Sequence, residues 1–128
     1  MSEVIKDATI TGSDKRPFDG AEKVFVDCVF VDATLEGAIF DGAIFVSCRF
    51  ERVDFYWALI HGARFIQCRF QEVDFRGAIM EEVYFFDSVL DKCDFSQDNL
   101  GGETDLSATH FVNSCQRDCK FGTTKQAR

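Results

Sequence analysis

The chain has 128 residues, with 22 Asp plus Glu against 14 Lys plus Arg for a formal charge of -8, 46% hydrophobic residues and 15 phenylalanines. That apolar content excludes a disordered acidic tail, and the negative balance argues against direct nucleic-acid binding, which needs a basic face. There is no run of about 18 apolar residues and no basic stretch leading into an apolar one, so no membrane span or secretory signal is expected and the expected compartment is the cytoplasm.

Residues 1–22 read as an irregular N-terminal coil and loop. Ile5 and Ile10 stand five apart with Ala8 two before the second, and Ser13 to Gly20, holding the one proline, breaks the pattern. From Lys23 the five-residue spacing is continuous. Phe25, Phe30, Leu35, Phe40, Phe45, Phe50, Phe55, Ile60, Phe65, Phe70, Phe75, Met80, Phe85, Leu90, Phe95 and Leu100 occupy every fifth position, and eleven of these sixteen are Phe. Two residues before each stands a small or short side chain, as at Cys28, Ala33, Ala38, Ala43, Cys48 and Val53, with Lys23 and Asp98 departing at the two ends. A helix or an unbroken strand cannot hold such a spacing on one side for 80 residues, whereas a chain that turns a corner every five residues can. After Leu100 the register slips by one. The chain thus divides into regular coils over 23–100, a slip at 101–103, a final coil over 104–121 through Leu106, Phe111, Gln116 and Phe121, and a tail at 122–128, all within a single domain.

A period of twenty lies over the period of five, since Cys28, Cys48 and Cys68 recur at that interval, as do Asp54, Asp74 and Asp94. Four pentapeptides therefore make one circuit, and each residue lies under its equivalent in the next. Over about residues 23–121 this pattern resembles the pentapeptide-repeat family, whose motif is a small residue, Asp or Asn, a central Leu or Phe, and two variable residues. The resemblance implies an all-β fold, a right-handed quadrilateral parallel β-helix of about six coils. In it the central residues, among them Phe25, Phe30, Phe45, Phe50, Phe65, Phe70, Phe75, Phe85 and Phe95, point inward with the small ones, and the other three of each repeat point outward. Gly37, Gly42, Gly62, Gly77 and Gly102 fall at the fifth residue of their repeats, where a corner calls for positive φ.

Six cysteines invite a disulfide or metal reading, but Cys28, Cys48 and Cys68 would stack about 4.8 Å apart, wider than a disulfide's Cβ separation, with no histidine among them. They read as small buried hydrophobes; Cys93 and Cys119 take the same inward position elsewhere, and Cys115 points outward as the free thiol. His61 and His110 lack a carboxylate and nucleophile at repeat-related positions, and no phosphate loop or HExxH occurs. No catalytic, cofactor-binding or metal residues are expected, and the chain is not expected to be an enzyme.

Sorted into four faces, the outward residues divide sharply. Around Phe25, Phe45, Phe65 and Phe85 stand Val24, Val26, Ile44, Val46, Arg64, Ile66, Tyr84 and Phe86, and seven of these eight are apolar. Ile39, Leu59 and Ile79 are expected to extend this patch along the neighbouring face. Around Leu35, Phe55, Phe75 and Phe95 stand Thr34, Glu36, Asp54, Tyr56, Asp74, Arg76, Asp94 and Ser96, an acidic face. The apolar face reads either as an interface or as the β-propensity of Val and Ile. The acidic column reads either as the repeat motif alone or, by resemblance to quinolone-resistance proteins of the family, as a DNA mimic that binds a type II topoisomerase. Against mimicry, residues 1–64 and 65–128 each hold seven basic and eleven acidic residues, so the charge is not concentrated. The leading expectation is a non-enzymatic protein-interaction or scaffold module with an unidentified protein partner and no membrane contact. Unpaired strand edges at the coil ends make a homodimer one arrangement of it. The acidic mimic is the alternative.

Overall fold

The computed structural model describes residues 3–13 and 18–122, and the chain is all-β. The strands are β1 (Val4–Lys6), β2 (Thr9–Ser13), β3 (Val24–Val26), β4 (Val29–Thr34), β5 (Ile44–Val46), β6 (Arg49–Glu51), β7 (Arg64–Ile66), β8 (Arg69–Gln71), β9 (Val83–Phe86), β10 (Val89–Asp91), β11 (Asp94–Phe95), β12 (Thr109–Val112), β13 (Cys115–Arg117) and β14 (Lys120–Phe121). All pairings are parallel. The first face stacks β1-β3-β5-β7-β9-β12, the second stacks β2-β4-β6-β8-β10-β13, and β11 pairs with β14 on the third. Single bridges continue the third face through Thr34, Asp54, Asp74 and Asp94, and the fourth through Asp19, Ile39, Leu59 and Ile79. The registers Phe25↔Phe45, Phe45↔Phe65 and Phe65↔Phe85 each advance by one circuit of twenty, so the result is a four-sided parallel β-solenoid. About four regular turns run from Phe18 to Phe95, fewer than the six expected, because the outermost strands belong to partial or interrupted circuits.

The interior is a bundle of phenylalanine stacks. Phe25, Phe45, Phe65 and Phe85 lie 4.7 to 4.9 Å apart with planes within 11° of parallel, and Phe30, Phe50 and Phe70 form a second stack at 4.6 to 4.7 Å. These separations are the strand spacing itself, so each ring sits offset-stacked over its equivalent without strain. Adjacent stacks meet edge-on, as for Phe50 and Phe65 at 5.8 Å and 75°. The eleven phenylalanines of the regular positions are all 0–1% exposed.

The corners explain where glycine is needed. On the third and fourth faces a turn closes by a backbone hydrogen bond, as from Ala38 N to Leu35 O and from Ala43 N to Phe40 O, and the residue before the donor has positive φ, 68° at Gly37 and 69° at Gly42. That is a type II arrangement, which favours glycine at its third position. Trp57 takes φ 58° in the same closed turn, and corners elsewhere also put residues other than glycine at positive φ, including Asp27, Asp32, Ser47, Arg52, Gln67 and Glu72. Gly102 departs from expectation; the positive φ falls on Gly101.

Both ends correct the sequence reading. Phe18, within the expected loop, is partly buried against Phe40, while Gly20 takes the central inward position, where a Cβ would come within 2.6 Å of the Phe40 ring. Large and small have exchanged places in that repeat. Residues 14–17 of the expected loop, and 123–128 of the expected tail, lie outside the described residues. At the other end Leu100 is 81% exposed and Leu106, at 2%, replaces it in the core. The pairings Phe85↔Phe111 and Phe95↔Phe121 span 26 residues rather than twenty, so six extra residues enter the last circuit between the third and fourth faces. A slip of one after a repeat of five and an insertion of six leave the same phase.

Candidate functional site

The first face is built by strand alternation: each central Phe points inward and turns both neighbours out. Its outward columns read Val4, Val24, Ile44, Arg64, Tyr84, His110 and Lys6, Val26, Val46, Ile66, Phe86, Val112. Val24, Val26, Ile44, Val46, Ile66, Tyr84 and Phe86 are half-buried against one another, while Val4 and Val112 are exposed at the two ends. The one cation in the middle is absorbed. The Arg64 guanidinium lies over the Tyr84 ring at 4.5 Å and donates to the carbonyls of Gly62 and Glu82, and Tyr84 stacks on Phe86 at 5.5 Å and His110 at 4.5 Å. This spreads the aromatic patch into the last circuit, where His110 and Val112 join it.

Ile39, Leu59 and Ile79 do not extend this face, contrary to the sequence reading. They flank the fourth face on its far side, and Asp41, His61, Glu81 and the corner residue Glu82 stand between, with His61 Nε2 3.2 Å from Glu82 Oε2. The apolar column instead runs beside the corner at Trp57. Trp57, Leu59, Ile79 and Leu100 make up four of the six exposed large apolar residues among those described.

The acidic column is present but largely occupied. Asp54, Asp74 and Asp94 are bridged in register, and each carboxylate accepts from the backbone N–H two residues on, at Tyr56, Arg76 and Ser96. Arg76 binds Asp74 through Nε and Nη2 and reaches Asp94 at 3.8 Å, offsetting the repulsion of stacked like charges. Glu36 lies exposed at the lower edge.

The inserted residues fold back across this region. Asp98 accepts from Trp57 Nε1 at 3.0 Å and from the N–H groups of Leu100 and Gly102, the Tyr56 hydroxyl accepts from Asn99 N, and Thr104 Oγ1 accepts from Gly77 N. Gly77 has to be glycine here, since a Cβ would fall 2.2 Å from the Trp57 ring. The Trp57 indole, then the Gly102 amide, hold the Asp98 carboxyl below the usual carboxylate range. A lowered folded pKa means that the anchor contributes above the unfolded value and is lost as pH falls through the folded one. Trp57 is the only tryptophan, so its fluorescence should shift on acidification below the ordinary carboxylate range, and Asp98→Ala should give the same shift at neutral pH. An unchanged Trp57 signal in that variant would show that the indole is held without the carboxylate.

The inward cysteines carry a structural role. Cys28, Cys48 and Cys68 each donate from Sγ to the carbonyl of the coil below, at Ile5, Phe25 and Phe45, all at 3.4 Å, and Ser88 and Ser114 continue the column with the same contacts. Burial first of all pushes the Cys68 thiol up. Native thiol labelling should reach exposed Cys115 quickly, half-buried Cys119 next, and Cys28, Cys48 and Cys68 only on unfolding. Fast labelling of the column would overturn the stacked arrangement. Among the described residues no cluster of three or more His, Cys, Asp or Glu is arranged to hold a metal ion.

A repeating unit that places one large apolar residue, most often Phe, inward per five residues and closes four sides per twenty defines a β-solenoid of the pentapeptide type. The sequence profile of the pentapeptide repeat region matches residues 23–95, more than half of the chain, and the chain belongs to the pentapeptide-repeat family. No curated protein matches it in sequence. Among solved structures it is similar to a trypsin-treated variant of QnrB1, a plasmid-mediated fluoroquinolone resistance protein, with 22% identity over 96% of this chain and 78% of that one and a TM-score of 0.56. It is also similar to the pentapeptide repeat protein Rfr23 from the cyanobacterium Cyanothece 51142, with 14% identity over 93% and 88% of the two chains and a TM-score of 0.47. At 22% identity the likeness to the QnrB1 variant concerns the fold alone.

Proposed function

We propose that the chain is a non-enzymatic protein-interaction module that engages its partner through the first face. The observation that carries this reading is the contrast between two faces obeying one repeat. The first keeps Val, Ile, Tyr and Phe at its outward positions, whereas the third carries Asp54, Asp74, Asp94 and Arg76 at the same offsets. Strand propensity does not account for the apolar first face, since the second face is built of the same short strands and turns Arg49, Glu51, Arg69, Gln71 and Asp91 outward; an apolar patch this continuous is the usual mark of a contact surface.

The acidic reading, a stand-in for duplex DNA on a type II topoisomerase, draws on the charge of -8, but the aspartates best placed for it are already bound to Arg76 and to backbone amides. Salt separates the two. A complex made through the first face should keep its affinity from low to high ionic strength, whereas a charge mimic would lose affinity steeply. The experiment is capture of the partner on immobilised protein at both salt concentrations, beside light scattering of the protein alone, which reads self-association. Steep loss of the captured partner with salt would favour the mimic.

A further inference from the structure

The thiols at the open end differ from those inside. β11 pairs with β14 through Asp94↔Lys120 and Phe95↔Phe121, which sets the preceding residues, Cys93 and Cys119, face to face on successive circuits, tied by Lys120 N to Cys93 O at 2.9 Å. Cys93 is 1% exposed in the core; Cys119 is half-buried. Their Sγ contacts to carbonyls are long, 3.7 and 3.9 Å for Cys93 and 3.5 and 3.6 Å for Cys119. The adjacent Cys93 thiol, against the effect of burial, lowers the Cys119 thiol to about 7, which favours its nucleophilic thiolate form.

In-register neighbours on parallel strands stand about 4.8 Å apart, inside the Cα range of a disulfide and about 1 Å beyond its mean Cβ separation. Within the Cys28, Cys48 and Cys68 column that gap is held open, because each coil is clamped by the pairing on both sides. Among the described residues the circuit of Cys119 is paired on one side only, through β12, β13 and the two-residue strand β14, with no coil above to hold the gap open. It is free to settle toward Cys93 from the open side.

We propose that Cys119 is an oxidant-sensitive modification site and that Cys93 is its resolving thiol, so that a hydroperoxide converts the pair into a disulfide fastening the last circuit to the one beneath. The Cys119 thiolate attacks the peroxide oxygen; the S–O bond forms, the O–O bond breaks, and hydroxide leaves to be protonated to water. Cys93, giving up its proton, attacks the Cys119 sulfenic sulfur; the S–S bond forms, the S–O bond breaks, and a second water departs. Two thiols and one hydrogen peroxide yield one disulfide and two waters.

The test uses the full chain carrying Cys115→Ser, which removes the exposed competitor. Treatment with hydrogen peroxide at neutral pH should lower the intact mass by two hydrogens, and a non-reducing peptide map should join Cys93 to Cys119. Adding Cys93→Ser, a change already present in kind at Ser88 and Ser114, should stop the reaction at the sulfenic acid, with Cys119 captured by dimedone several-fold more than in its parent; circular dichroism confirms the fold of both. Equal dimedone capture in the two proteins, or peroxide consumption that leaves Cys119 a free thiol, would overturn the proposal.

Discussion

Phe50→Ala or Phe70→Ala should each destabilise the protein by roughly 3 to 5 kcal/mol, the cost of lost burial plus the cavity left behind. Each ring is stacked on both sides or stacked and edge-packed, with Phe50 between Phe30 and Phe70 at 4.7 and 4.6 Å and against Phe45 and Phe65 from the side. The site cannot collapse onto the gap, because the backbone is held at fixed height by the coils above and below. Denaturant unfolding followed by circular dichroism measures the cost. A loss below about 1 kcal/mol would mean that these rings do not fill the core.

The double variant Val46→Glu with Ile66→Glu should abolish the complex made by the first face while leaving the circular dichroism of the solenoid intact. The two positions are register partners on β5 and β7, in the centre of the face, and their side chains point outward, so the core is untouched. In a contact they would put two carboxylates, desolvated and unpaired, at the middle of the buried patch, where breaking an interface costs most. The nearest cation, Arg64, is engaged with Tyr84 and two carbonyls. Binding studies and light scattering read the result. A double variant that keeps its partner and its wild-type mass would show that the stripe is strand propensity on a solvated surface.

Much of this was legible from residue order. Phe at every fifth position, with a small residue two before it, marks the inward columns, and the recurrence at twenty marks which side chains stack, as the parallel registers and ring stacks bear out. Three features were not legible, each for its own reason. The phase of five is blind to the six inserted residues, so Leu100 passed for core. A periodic reading assigns the central position to whatever residue falls there, and so misses that Phe18 fills the space left by Gly20. The period also does not tell which side of a face lies nearest the corner, and so misses that Asp41, His61, Glu81 and Glu82 separate Ile39, Leu59 and Ile79 on the fourth face from the patch they were expected to extend.

Side-chain size repeated at short range is enough to specify this architecture, since every coil makes the same contacts with the next and one local rule, applied over and over, settles inside from outside. The surface obeys no such rule. Asp98 meets Trp57 across 41 residues and Asn99 meets Tyr56 across 43, while Arg76 quiets an aspartate column that composition alone counts as bare charge. Those contacts arise once rather than periodically, and their energies depend on which groups the folded coils bring within reach, so they could be read only from the assembled solenoid.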